Sequence, residues 1–149
     1  MPPLRCSAAM LKGADRLRRS LIPSLLESRR INESLSNERI ELFETAHIYL
    51  PRHEGLPDEQ WTLGLTSGRG FFAVKGVLEC LAGSLAPHRP FETRDAQVSM
   101  LDPARSCQLW FDGRLLGFLG KVSRDGLRQF GLRQPTTVAE LNLSVLAEG

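Results

Sequence analysis

Residues 17–49 read LRRSLIPSLLESRRINESLSNERIELFETAHIY, and they hold a helix start, a helix, a polar break and a strand against which the rest of the chain can pack. Ser20 suits a helix N-cap, because its hydroxyl can accept a free first-turn amide proton. Pro23 then falls near the third helical position, where an amide has no intrahelical acceptor and proline costs little. Leu21, Leu25, Ser28, Asn32 and Leu35 recur at three- and four-residue steps and predict one face, widened by Ile22 and Leu26. Arg29, Arg30 and Glu33 fall elsewhere and are expected in solvent. The helix should fade over residues 34–37, whose side chains compete for backbone hydrogen bonds. A strand over 39–50 follows, carrying Ile40, Leu42, Phe43, Ile48 and Tyr49 and ending at Pro51.

The chain has 149 residues, 42% apolar and 24% charged, which points to one folded soluble domain and away from disorder. Residues 1–16 read as a loose lead-in or as a segment from the middle of something longer, and 17–149 as a single domain. No apolar run approaches the ~20 residues of a membrane span, and no basic-then-apolar signal opens the chain. Cys6, Cys80 and Cys107 fit reduced thiols better than a disulfide frame. A cytoplasmic protein is the expectation. The net charge of +2 is too small to imply nucleic-acid binding. Arg16, Arg18, Arg19, Arg29 and Arg30 are locally dense, which reads as a solvated helix face before it reads as a phosphate patch.

Further along, 52–59 is a polar loop joining antiparallel strands, and 60–66 (QWTLGLT) alternates as a half-buried strand. A helix spans 71–85, with Phe72, Val74, Val77, Leu78, Leu81 and Leu85 as its apolar stripe and Lys75–Glu79 as an i,i+4 pair. Residues 91–95 and 96–101 read as short extended pieces. Asp112-Gly113 between apolar runs marks a tight hairpin over 106–122, in which Gly117 and Gly120 suggest bulges or close packing. Ser123 can cap a short helix ended by Gly131, and 136–143 is a last strand before a helix start. The order predicts an α+β fold, mainly an antiparallel sheet flanked by helices.

No chemistry follows from these residues. His47, His53 and His88 share no ligand spacing with cysteine. Gly68-Arg69-Gly70 and Lys75-Gly76 lack the glycine spacing of a phosphate loop. Ser106-Cys107 lacks nucleophile-elbow glycines. Glu41 and Glu44, three apart on a strand, point to opposite faces.

The chain resembles the core of the bacterial phenylalanine–tRNA ligase beta subunit. LRRSLIPSLLES is similar to that family's LRTSLLPGLLEA, ELFETAHIY to RLFEIGRVF, and FFAVKGVLECL to DFYDLKGVVEAL. LDPARSCQLWFDGRLLGFLGKV is similar to LHPGRSAEILLDGKVIGFLGEL, and TVAELNLSVL to the closing strand. The resemblance implies a class II aminoacyl-tRNA synthetase-like core that is a degenerate copy of the catalytic one. It implies a catalytic alpha subunit as partner in an (αβ)2 assembly, with ATP and Mg bound there and no cofactor here. It implies tRNA contact through the full complex. Leu50 stands where the working copy has its ATP-contacting arginine, and residues 141–146 (LNLSVL) stand where it has GLGxxR. Ser24, Arg19, His47 and Ala73 depart from the family pattern. Arg18, Ser20, Pro23, Asn32, Lys75, Gly76, Gly113, Gly117 and Gly120 lie in the matching motifs, and a structural or interface role is expected for each. The isolated domain is expected to self-associate if it exposes its partner's surface. The other reading is a stand-alone domain binding an amino acid or similar small molecule, with Trp61, Phe71, Phe72, Phe91, Trp110 and Phe118 as pocket lining.

Overall fold

A computed structural model describes residues 19–147; the lead-in and Arg18 lie outside the described residues. The elements run α1 (Ile22–Ser34), β1 (Glu41–Leu50), β2 (Asp58–Ser67), α2 (Phe71–Leu85), β3 (Phe91–Asp95), β4 (Leu101–Phe111), β5 (Arg114–Val122), α3 (Arg124–Phe130), β6 (Thr137–Asn142) and α4 (Leu143–Ala147). The strands form one six-stranded sheet in the order β1-β2-β6-β5-β4-β3, antiparallel at every pairing. The expected α+β architecture is the one observed.

Helices cover both faces. On one, Leu21 and Leu25 of α1 pack with Leu42, Ala46, Ile48 and Leu50 of β1, while Leu26 joins Val122, Val138 and the α3 side chain Leu127. On the other, Val74, Leu78 and Ala82 of α2 and Val145 and Leu146 of α4 pack on Leu109, Leu119, Ala139 and Leu141. Strand periodicity explains this split: Val138 faces α1, whereas its neighbour Ala139 faces α2. Gly64 lets α1 lie close to the sheet, since a β-carbon there would sit 2.9 Å from Leu21 Cβ.

Four expectations need correction. Ser20 is not the N-cap of α1; Leu21 holds that position and Pro23 lies in the first turn. The buried face of α1 follows the four-residue row Leu21, Leu25, Arg29, not the row through Ser28 and Leu35, and Leu35 is 68% exposed. Arg29, expected in solvent, is 3% exposed. Its Nη1 donates to the Ile40 carbonyl at 2.8 Å, and Glu33 Oε1 lies 3.8 Å from its Nε. The Nε of Arg29 and Oε1 of Glu33 are buried without a hydrogen-bond partner. Residues 96–100 form no strand, and 99–100 are a turn. Met100 takes φ +71°, and its carbonyl accepts from the Ser123 amide at 2.9 Å.

Candidate functional site

The face that stands out is built by β1, β2 and α2. In the antiparallel register Phe43 lies opposite Leu65, Thr45 opposite Leu63 and His47 opposite Trp61, so these side chains share one face of the sheet. On the remaining strands that face is covered by α2 and α4. At β1 it is open, and Phe43 is 76% exposed. Helix α2 turns Val74, Leu78 and Ala82 inward but leaves Val77 and Leu85 exposed, so its expected single stripe is two stripes. Phe72, also expected in the buried stripe, is exposed beside Phe71.

These exposed groups meet in two hollows. Phe43, Leu65, Val74 and Val77 line a groove of about 180 Å³. Trp61, Leu85, Leu143 and Leu146 line a second of about 400 Å³. Val77 to Leu85 spans two helical turns, roughly 12 Å, and Leu65 to Trp61 spans a similar roughly 13 Å along β2. The hollows share no lining residue but lie along one α2–β2 seam, an apolar trough interrupted between them. Its borders are polar: Arg69 Nε lies 3.6 Å from Glu41, and Lys75 Nζ lies 3.7 Å from Glu79. Such a face suits a macromolecular surface better than a small ligand, because it is shallow and unenclosed.

A second cluster lies under the N-terminal end of α1. The Ser20 hydroxyl donates to Glu140 Oε2 at 2.6 Å, and the Leu21 amide donates to the same oxygen at 3.0 Å. The Ile22 amide donates to Ser20 Oγ at 3.2 Å. Glu140 is 8% exposed. Burial pushes its carboxyl above the usual carboxylate range, and the bonds from Ser20, Leu21 and Ile22 pull it only part of the way back. Burial likewise pushes the Cys107 thiol up, which disfavours its thiolate.

The residues singled out from sequence do not form one site. Pro23 sits in the first turn of α1. Asn32 donates to the Ser28 carbonyl and accepts from Asn37 Nδ2, both at 2.8 Å, which ties the helix end to its following turn. Lys75 pairs with Glu79 on α2, and a β-carbon at Gly76 would meet nothing within 4 Å. Gly113 has φ +77° in the hairpin turn. Gly117 is pinned, since a β-carbon there would lie 1.8 Å from the Glu140 carbonyl oxygen, and one at Gly120 would lie 2.6 Å from Leu101. Glu140 thus brings Ser20 and Gly117 together. Sequence reading missed it; the available signal was a lone acid in the strand TVAELN, whose neighbours Val138, Ala139 and Leu141 are apolar.

Leu50 closes β1 and packs in the α1 cluster. Leu141 ends in the core, and Leu143–Ala147 is helix α4 with Val145 and Leu146 buried. The six aromatics proposed for a pocket do not converge. Phe71 and Phe91 pack on the α2 side, Phe118 on the α1 side, and Trp110 is stacked under Arg94 at 4.0 Å. Among the described residues no cluster of histidine, cysteine and carboxylate side chains could hold a metal, and no helix is long and apolar enough to cross a membrane.

Comparison with known proteins decides the family. The model of the phenylalanyl tRNA synthetase beta chain CLM domain matches residues 4–143. The chain belongs to this family. The phenylalanine–tRNA ligase beta subunit of Rhodopirellula baltica is 38% identical over 98% of this chain and 23% of its own length. That of a Bacillus cereus strain is 31% identical over 95% of this chain and 19% of its own length. The chain therefore spans about a fifth to a quarter of the length of these beta subunits. In fold it is similar to pyrrolysyl-tRNA synthetase from Desulfitobacterium hafniense, with a TM-score of 0.69, 20% identity, and coverage of 97% of this chain and 52% of that one. The chain thus shares its fold with part of that synthetase. The family model also reaches the N-terminal residues read as a lead-in.

Proposed function

We propose that this chain is a non-catalytic assembly module of phenylalanine–tRNA ligase, a degenerate copy of the class II catalytic core within residues 17–149 of a longer beta subunit. It packs on the catalytic alpha subunit in an (αβ)2 assembly in the cytoplasm. ATP and Mg bind at the alpha subunit, and tRNA is engaged by the full complex. The observation that carries this is the exposed apolar set of Phe43, Trp61, Val77 and Leu85 beside the helix-covered core on the α2 side of the sheet. The leucine at position 50 supports it, because an apolar side chain cannot neutralise a developing phosphate charge.

Sedimentation velocity of this chain with the alpha subunit from the same organism tests the reading. A faster stoichiometric species is expected, lost in Phe43→Asp and retained in Arg94→Ala, which lies on the far edge strand β3. Two independent boundaries with a folded alpha subunit, or a Phe43→Asp chain that still associates, would overturn the assignment of this face.

A further inference from the structure

A guanidinium taken out of water needs its charge and its N–H groups answered. Arg29 is 3% exposed, and burial pushes its guanidinium pKa down against the opposing charges of Glu33 and Glu41. Its Nη1 has the Ile40 carbonyl. Its Nε has no hydrogen-bond partner, and neither has Glu33 Oε1, 3.8 Å away. Both side chains line a cleft of about 940 Å³, where the end of α1, the segment 36–41, the turn after β2 and residues 133–135 meet. Arg39, Arg69 and Arg133 line it too, with Glu38 and Glu41. Glu41 is engaged by Arg69, and Glu33 Oε2 by the Arg133 amide. Arg39 and Arg133 are exposed, and no ion pair joins either side chain to another of the described residues.

Unmet donors on Arg29, Arg39 and Arg133 call for an oxyanion, and a phosphate ester brings three acceptor oxygens where a carboxylate brings two. The unmet acceptor, Glu33 Oε1, calls for a hydroxyl on the same molecule. We propose that this cleft binds a sugar phosphate, its phosphate held by Arg29, Arg39 and Arg133 and a sugar hydroxyl donating to Glu33. Neither Arg29 Nε nor Glu33 Oε1 has a hydrogen bond to lose when the ligand draws it outward. Gly68 leaves room for the Arg29 guanidinium, since a β-carbon there would sit 3.2 Å from its Nη2. The assignment does not rest on the partner of the apolar trough. The cleft shares Glu41 and Arg69 with the groove beside Phe43, so neither is altered in the test. A ribose–phosphate unit occurs both free and in an RNA strand, and the test separates these sources.

Calorimetric titration of the whole chain with ribose 5-phosphate, at matched chloride, tests this. A single saturable site is expected, with ribose and inorganic phosphate each binding more weakly. Arg133→Ala keeps the amide that holds Glu33. It and Arg39→Ala should each weaken binding about tenfold, the low end for a hydrogen bond to a charged group. Both side chains are exposed, so the unfolding temperature should not change. Arg94→Ala, on β3, should bind as wild type does. A decauridylate strand titrated in parallel separates the sources. Tighter binding than ribose 5-phosphate, weakened by the same two substitutions, assigns the cleft to RNA; weaker binding assigns it to a free sugar phosphate. No saturable heat with either ligand would overturn the site, as would binding unchanged in the double variant Arg39→Ala, Arg133→Ala; Arg29 and Glu33 would then be a structural ion pair only. Inorganic phosphate binding as tightly as ribose 5-phosphate would overturn the sugar contact.

Discussion

Two glycines in matching motifs make opposite demands. Gly117 faces the Glu140 carbonyl so closely that a β-carbon would lie 1.8 Å from it, and the obstacle is backbone, which cannot swing aside. Gly117→Ala should therefore destabilise by about 3 kcal/mol, the upper part of the overpacking range. Gly76 lies inside α2 with nothing near its missing β-carbon. Gly76→Ala should stabilise by roughly 0.5–1 kcal/mol through backbone entropy and helix propensity. Urea unfolding of both variants checks the pair. Glu140 gives a pH prediction of definite sign. Its folded carboxyl titrates above the ordinary range because of burial, so the native state holds a proton that the unfolded chain has released. Its contribution to stability then falls as pH rises from the ordinary carboxylate range through the raised folded value, and levels off above it. Glu140→Gln keeps an acceptor oxygen and removes the titration. The stability of Glu140→Gln relative to wild type should rise across that window and then stay constant, measured by urea midpoints at successive pH values. A difference that shrinks with rising pH would contradict the burial cause.

At the scale of elements, turn chemistry decided what could be read in advance. The hairpin between β4 and β5 follows from Asp112-Gly113, and both residues do take positive φ, +52° and +77°. Gly113→Ala should cost about 1–2 kcal/mol, seen as a lower urea midpoint with an unchanged slope. Helices α2 and α3 were legible for similar reasons: an apolar stripe bounded by glycine and proline, and a serine cap answered by the αL Gly131. The α1 face was misread because helical spacing fixes which residues share a row but not which row turns inward. The neighbours decide that, and here Gly64, Ile40 and Glu140 lie far along the chain. The same limit hid the trough: Val77 and Leu85 look like core residues in any helical projection, and only the narrowness of the helix layer over β1 and β2 exposes them. The Glu140 cluster was illegible for a related reason. A cap supplied across a sheet leaves no local pattern at the helix it serves, so Ser20 was read as the cap when it links the Ile22 amide to Glu140.

For the molecule as a whole, the trough on one face and the packed helix α1 on the other give the two sides of the sheet different fates. On the α1 side, Leu21, Leu25 and Leu26 are buried against the sheet and Glu140 accepts from Ser20 and Leu21. The α2 side leaves Phe43, Trp61, Val77 and Leu85 exposed to water. Burying a side chain of the Val, Leu or Phe kind is worth about 1.5–3 kcal/mol, enough for contacts between copies at high concentration when no other partner is present. The chain alone should therefore self-associate reversibly, its weight-average sedimentation coefficient rising with concentration. The double variant Phe43→Asp, Val77→Asp should stay monomeric over the same range with an unfolding temperature close to wild type, because neither side chain belongs to the buried core. Adding the alpha subunit to the wild-type chain should dissolve the self-associated species in favour of the mixed one, since both draw on the same surface. Self-association that persists in the double variant would instead place the contact elsewhere, with Ile31 and Leu35 on the outer side of α1 as the next exposed apolar pair.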